Sequence, residues 1–268
     1  MANNESIKMN TLLAKVDHEG SSFNKMVADY GRFFKSNQGM FKGLKKTHEP
    51  YEGYNVDPAY VANQSVATTV KEKLDWFQER EVPYLKSLFS AEATNSAGAN
   101  TVPLIVDGVS FGNLTALELM RLKSFLTNKE LDNVYANIPV REDSKVWNET
   151  TNAEYAGREV YETALQTGHT KTTEIEEVIL KDPNIDPEHL PANYRSTVVQ
   201  KKKTVDTGDY TLQYFTGEWT QRAKAELLRR KSNLLGAVIE ALKKVNEIEA
   251  SATNLDVDAL VNYIHYGK

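Results

Sequence analysis

Apolar positions along the chain change period twice, and those changes divide it into helical and extended stretches. From Ser22 to Ser36 the residues Phe23, Met26, Val27, Tyr30, Phe33 and Phe34 make one broad apolar face at helical spacing. Ser21 or Ser22 suits the N-cap of that helix, and a shorter helix over about 5–15 is expected to stop near Gly20. The stretch from Gln38 to Pro58, rich in Gly, Tyr, Pro and charge, reads as a surface loop. Helix is expected to resume near Pro58 on Val66, Val70, Leu74 and Phe77. Pro83 should bend or restart it, since proline lacks the amide hydrogen a helix interior needs. Tyr84, Leu85, Leu88 and Phe89 continue the face, and the small polar residues 94–100 close it.

Beyond residue 100 the period shortens. Asp107-Gly108 between Val106 and Val109 is a strong two-residue hairpin signal, because both residues accept positive φ. Thr115 then caps a helix to about Thr127 with Leu119, Leu122 and Leu126 inward, and a second short helix ends before Pro139. Strands are expected at about 158–165, 173–180, 196–205 and 210–215. Asp206-Thr-Gly-Asp209 supplies a turn between the last two, and the proline-rich 182–191 a loop. A long helix follows from about Trp219 to Ala250. Leu228, Leu235, Val238, Leu242 and Val245 form one stripe on it, beside a second of Leu227, Leu234, Ile239 and Ile248. Two stripes mean contact with two elements, where one coiled-coil seam needs a single stripe. A last short helix, capped by Asn254, carries Leu255, Leu260, Val261 and Ile264.

The pattern therefore predicts an α+β protein: a helical layer from the N- and C-terminal segments with a mainly antiparallel sheet of central hairpins. Residues 1–250 are expected to form one domain, and 251–268 a helical extension that docks on its own body or reaches a neighbouring subunit. The 268 residues are ample for a sizeable core, and with no cysteine its stability must come from packing. No basic stretch followed by an apolar run opens the chain, and no apolar run approaches a membrane span. The cytoplasm is the expected compartment, with no membrane partner.

Net charge is −5, which argues against a dedicated nucleic-acid binder. Its distribution is more informative: residues 141–190 hold an excess of carboxylates, and 195–244 an excess of Lys and Arg. Such blocks neutralise each other within one molecule or between copies. Lys201, Lys203, Trp219, Arg222, Arg229 and Arg230 are the candidate interaction residues of the basic block, with an aromatic ring available to stack on a base.

Catalytic patterns are weak. Gly108-Val-Ser-Phe-Gly112 matches the serine-hydrolase G-x-S-x-G, but the preceding turn puts Ser110 in a return strand instead of a strand-to-helix elbow. His18, His48, His169, His189 and His265 are scattered without zinc-site spacing. Glu176-Glu177 lie on a strand, where adjacent side chains face opposite ways. No glycine loop of phosphate-binding type occurs. We therefore expect a protein that is not an enzyme and takes no cofactor or metal.

Met9-Asn-Thr-Leu-Leu-Ala14, Phe41-Lys-Gly-Leu-Lys-Lys-Thr-His48, Val106-Asp-Gly108, Ile138-Pro139 and Gly217-Glu-Trp219 occur in that order. In this the chain resembles a family of uncharacterised bacterial intracellular proteins known as a domain of unknown function. The resemblance implies no catalytic residues. The leading expectation is a self-assembling homo-oligomer (ring, tube or higher-order assembly). The alternative is a nucleic-acid or polyanion binder using the basic block.

Overall fold

A computed structural model describes residues 8–180, 195, 197–247 and 255–266. In chain order its elements are α1 (Met9–Ser36), β1 (Lys42–Pro50), β2 (Ala62–Gln64), α2 (Val70–Asn95), β3 (Thr101–Val106), β4 (Val109–Thr115), α3 (Ala116–Leu126) and α4 (Lys129–Ala136). There follow β5 (Asn148–Glu149), β6 (Tyr161–Glu162), β7 (Gln166–Leu180), β8 (Thr197–Thr216), α5 (Gln221–Val245) and α6 (Val257–Tyr266). The fold is α+β with antiparallel ladders, as the periodicity predicts. It falls into two compact units. A helical unit takes the chain up to Arg32, Phe77–Asn137 and the chain from Arg222 onward. A sheet unit takes Phe33–Trp76 and Ile138–Gln221.

In the helical unit, α1 is one helix of 28 residues, not two. Gly20 does not stop it: a Cβ there would lie 3.1 Å from the Tyr84 ring, so this glycine admits an aromatic neighbour. Ser21 and Ser22 are consequently interior helical residues. Phe23 stacks on Tyr84 at 5.1 Å and meets Phe77 edge-on at 5.7 Å. Such pairs add roughly 0.5–1.5 kcal/mol each beyond their burial. Pro83 likewise sits inside an unbroken α2. Its position is exposed, so water can satisfy the carbonyl its missing amide leaves unbonded.

The β3–β4 hairpin turns at Asp107 and Gly108 with φ of 49° and 82°, and Val106 faces Val109 as the sequence predicts. Thr115 caps α3 in a reciprocal box: its hydroxyl accepts from the Glu118 amide, and the Glu118 carboxylate accepts the Thr115 amide at 2.9 Å. Leu104, Leu119, Leu126, Val238, Ala241 and Val245 form one buried cluster, with Leu122, Leu234, Leu235 and Leu242 packed on it. Asp256 caps α6, accepting from the Ala259 amide at 2.9 Å; Asn254 lies outside the described residues.

The sheet unit corrects the expected loop at 38–58, because Lys42–Pro50 is a full strand. Lysines on both faces of β1 hide its alternation, and its order comes from pairing with β8 along all nine positions. β8 is the spine, with β1 on one side and β6 then β7 on the other. Val66, Tyr155, Val160 and Phe215 are buried together beside it.

The expected turn at 206–209 is also overturned. β8 runs through it for 20 residues, with a bulge opposite Thr170–Lys171. Gly208 serves close approach instead of reversal: a Cβ there would fall 2.6 Å from the Glu49 carbonyl and from His48 Nε2. Gly208→Ala is expected to cost the sheet unit about 2 kcal/mol by overpacking. All three tryptophans lie in this unit, so their fluorescence in urea reads the loss; an unchanged midpoint would refute the close fit. The expected loop 182–191 lies outside the described residues.

Candidate interaction surface

β1 leaves β8 at Gly208, yet β7 and β8 continue together from Lys171 and Asp206 out to Leu180 and Thr197. The result is a two-stranded ribbon of roughly 33 Å, at 3.3 Å per residue. Among the described residues β7 pairs with β8 alone, so its outer edge is unpaired throughout.

The register decides what the ribbon presents. Glu174 stands opposite Lys203, Glu176 opposite Lys201, and Val178 opposite Val199 on one face. Ile175 faces Lys202, Glu177 faces Gln200, and Ile179 faces Val198 on the other. The acidic and basic blocks thus meet within one chain. Residues 171–180 and 197–206 together hold four basic and four acidic side chains, so the ribbon is neutral overall. Tyr54 donates to the Glu174 carboxylate at 2.6 Å and lies against the first face. On the second face Ile175 and Ile179 are each 61% exposed and Val198 is 50% exposed. They form an apolar strip open to solvent, interrupted by the Glu177–Gln200 pair.

The ribbon's root is held by a polar cluster. The Asp57 amide donates to His48 Nδ1 at 3.0 Å, which leaves Nε2–H to donate to Thr170 Oγ1 at 2.9 Å. Thr170 Oγ1 donates to the Gly208 carbonyl at 3.1 Å. Beside it Asp209 accepts from Tyr51 at 2.9 Å and lies 2.6 Å from His169 Nδ1. The Tyr51 bond, and then His169, hold the Asp209 carboxyl below its ordinary range. Tyr210 covers Gly168 across the strand pair, close enough that a Cβ there would meet the ring at 2.7 Å. An aromatic laid over a strand glycine of this kind stiffens an otherwise weak point.

The remaining candidate residues are dispersed. Lys201, Lys203 and Trp219 belong to the sheet unit, whereas Arg222, Arg229 and Arg230 belong to α5 of the helical unit. Trp219 is half-buried and held by its backbone: its amide donates to Pro139 and its carbonyl accepts from Arg141 at 2.8 Å. Arg229 forms a two-pronged bond to Glu226 on its own helix, and Arg230 Nε donates to the Glu226 carbonyl at 3.3 Å. Ser110 lies exposed in β4 opposite Ile105. Among the described residues no group of three or more His, Asp or Glu side chains is placed to hold a metal ion, and no helix is long and apolar enough to cross a membrane. Ile175, Ile179 and Val198 look like ordinary core positions in the sequence; among the described residues no layer packs over this face, and they are exposed.

A family model described as a family of unknown function, DUF7873, matches residues 6–267, nearly the whole chain. The chain belongs to that family. Among curated proteins and among solved structures no match to it is found. Several of the motif residues quoted above hold backbone in place in this DUF7873 protein. The Gly217 amide donates to the Phe41 carbonyl at 2.8 Å, and the Gly217 carbonyl accepts from Val70 at 2.9 Å. A Cβ at Gly217 would lie 2.9 Å from Thr69 Cα, and one at Gly43 2.9 Å from the Gln64 carbonyl. Glu218, between Gly217 and Trp219, is 4% exposed and accepts from Thr216; its burial raises its pKa.

Proposed function

We propose that this protein works by self-association, as a non-enzymatic homo-oligomer of the bacterial cytoplasm, with the β7–β8 ribbon as a contact between copies. The exposed strip of Ile175, Ile179 and Val198 on a two-stranded ribbon carries the reading. An isolated two-stranded pair is marginal in water, and a third layer over that face removes apolar surface from solvent. A second copy is a suitable layer. Two ribbons packed face to face about a two-fold axis set Ile175 of one copy on Ile179 and Val198 of the other. A neutral ribbon with mixed charge suits such self-contact. The same pairing of Lys201 and Lys203 with Glu176 and Glu174 weighs against the polyanion-binding alternative, which needs an uncompensated positive face.

The test is Ile175→Asp with Ile179→Asp, measured by sedimentation velocity on the full chain. Both side chains are exposed, so the melting temperature of a dilute sample should move little. Association is expected to weaken at least tenfold, and added salt to weaken the unsubstituted oligomer through its charged contacts. Unchanged association in the double variant removes the ribbon from the interface. The ribbon face, roughly 33 Å by 10 Å, is smaller than the ~800 Å² per partner of a stable contact, so a second surface has to contribute.

A further inference from the structure

Two complementary surfaces of the helical unit are left open. The first is α6, on which Val257, Leu260, Val261 and Ile264 recur at helical spacing and are 48%, 44%, 43% and 68% exposed. A ten-residue helix with that face bare does not hold its shape in water by propensity alone. The second is an open groove of about 660 Å³ on α3 and α5, floored by Met120, Ile239 and Leu242 and rimmed by Lys123 and Lys243. Ile239 belongs to the second apolar stripe of α5 and is exposed, whereas Leu234 of the same stripe packs on the core. The chemistry matches: an amphipathic helix lays its i, i+3, i+4, i+7 anchors into an apolar groove. Asp256 and Asp258 at the start of α6 are opposite in charge to Lys123 and Lys243.

We infer that α6 of one copy seats in the α3–α5 groove of a second copy, and reciprocally. This rests on the self-association reading above and supplies the second surface it needs. A seat within the same chain would cover both surfaces in the single chain. Yet within one chain the apolar faces of both α6 and the groove stand exposed. Reciprocal exchange also doubles the buried surface, since each copy gives one helix and receives one.

Because the chain lacks cysteine, single thiols can be placed without background reaction. Ile264→Cys and Ser124→Cys are made as separate full-length variants, mixed, incubated to allow subunit exchange, and treated with a short bis-maleimide. The expected result is a covalent heterodimer in the mixture at several times the yield from either variant alone. No heterodimer above that background overturns the inference. A double variant linked only within one chain overturns it as well. Sedimentation of the same mixture separates the two readings: an oligomer without the cross-link refutes helix exchange alone, whereas a monomer refutes self-association itself. Leu260→Asp with Ile264→Asp should independently weaken association at least tenfold with the melting temperature unchanged; unaltered association contradicts the seat.

Discussion

Arg158→Ala is expected to cost the sheet unit about 3 kcal/mol, the combined cost of unmade charge-assisted bonds and orphaned carbonyls. The Arg158 guanidinium donates to both Glu72 oxygens, at 2.6 and 3.1 Å, and to the carbonyls of Val66 at 3.0 Å and Ala67 at 3.2 Å. It thereby fastens the start of α2, where Thr69 and Glu72 already form a capping box: Thr69 N–H donates to the Glu72 carboxylate and Glu72 N–H to Thr69 Oγ1. Without arginine, Glu72 loses its counter-charge and two carbonyls lose their donors. Arg158→Lys should recover less than half, because one ammonium cannot reproduce the planar fork. Tryptophan fluorescence in urea reads the sheet unit alone, since Trp76, Trp147 and Trp219 all belong to it. A loss below about 1 kcal/mol would show the network to be merely decorative surface charge. Arg158 holds the Glu72 carboxyl below its usual value. Its contribution is therefore present above the ordinary carboxylate range and is lost as pH falls through the lowered value.

The second large effect has the opposite sign. Glu81→Gln is expected to stabilise the helical unit by about 3 kcal/mol at pH 8 and by almost nothing at pH 4. Burial of Glu81 on α2 lifts its carboxyl from 4.5 to about 7. The folded state thus holds a proton that the unfolded chain releases near the ordinary value. Wild-type stability falls as pH rises from that value through 7, and the full penalty stands above it. Glutamine resembles the protonated form and never ionises, so the variant keeps the stability that the carboxylate forfeits. Far-UV circular dichroism in urea at the two pH values measures the difference. An equal effect at both would mean that ionisation of Glu81 is not what the substitution removes. Tyr135, whose hydroxyl pKa is raised first by its own burial and then by Glu81, should shift downward in the variant.

Where local chemistry decides the backbone, the sequence was readable. Asp107-Gly108 takes the positive φ values that its composition allows, and Thr115 with Glu118 closes the helix start that its spacing implies. Where tertiary contact decides, it was not. Gly20 and Gly208 look like a stop and a turn, but each is small because a neighbour lies against it: the Tyr84 ring in one case, the Glu49 carbonyl in the other. β1 owes its order to the full-length ladder with β8, which no property of Lys42–Pro50 taken alone discloses. The candidate surface was legible only in part. The opposite charge of the two blocks is plain in the sequence, whereas their meeting strand against strand is a matter of register. That one register pairs Lys201 with Glu176 and makes this part of the basic block one side of a neutral ribbon.

The most direct measurement is the mass of the full-length protein in solution, by sedimentation velocity across the micromolar range at low and high salt. Self-association through the ribbon and the exchanged α6 predicts a defined species of two or more chains that persists at both salts, weakened at high salt only as far as its charged contacts are screened. A single 30.2 kDa chain at every concentration and both salts would contradict it.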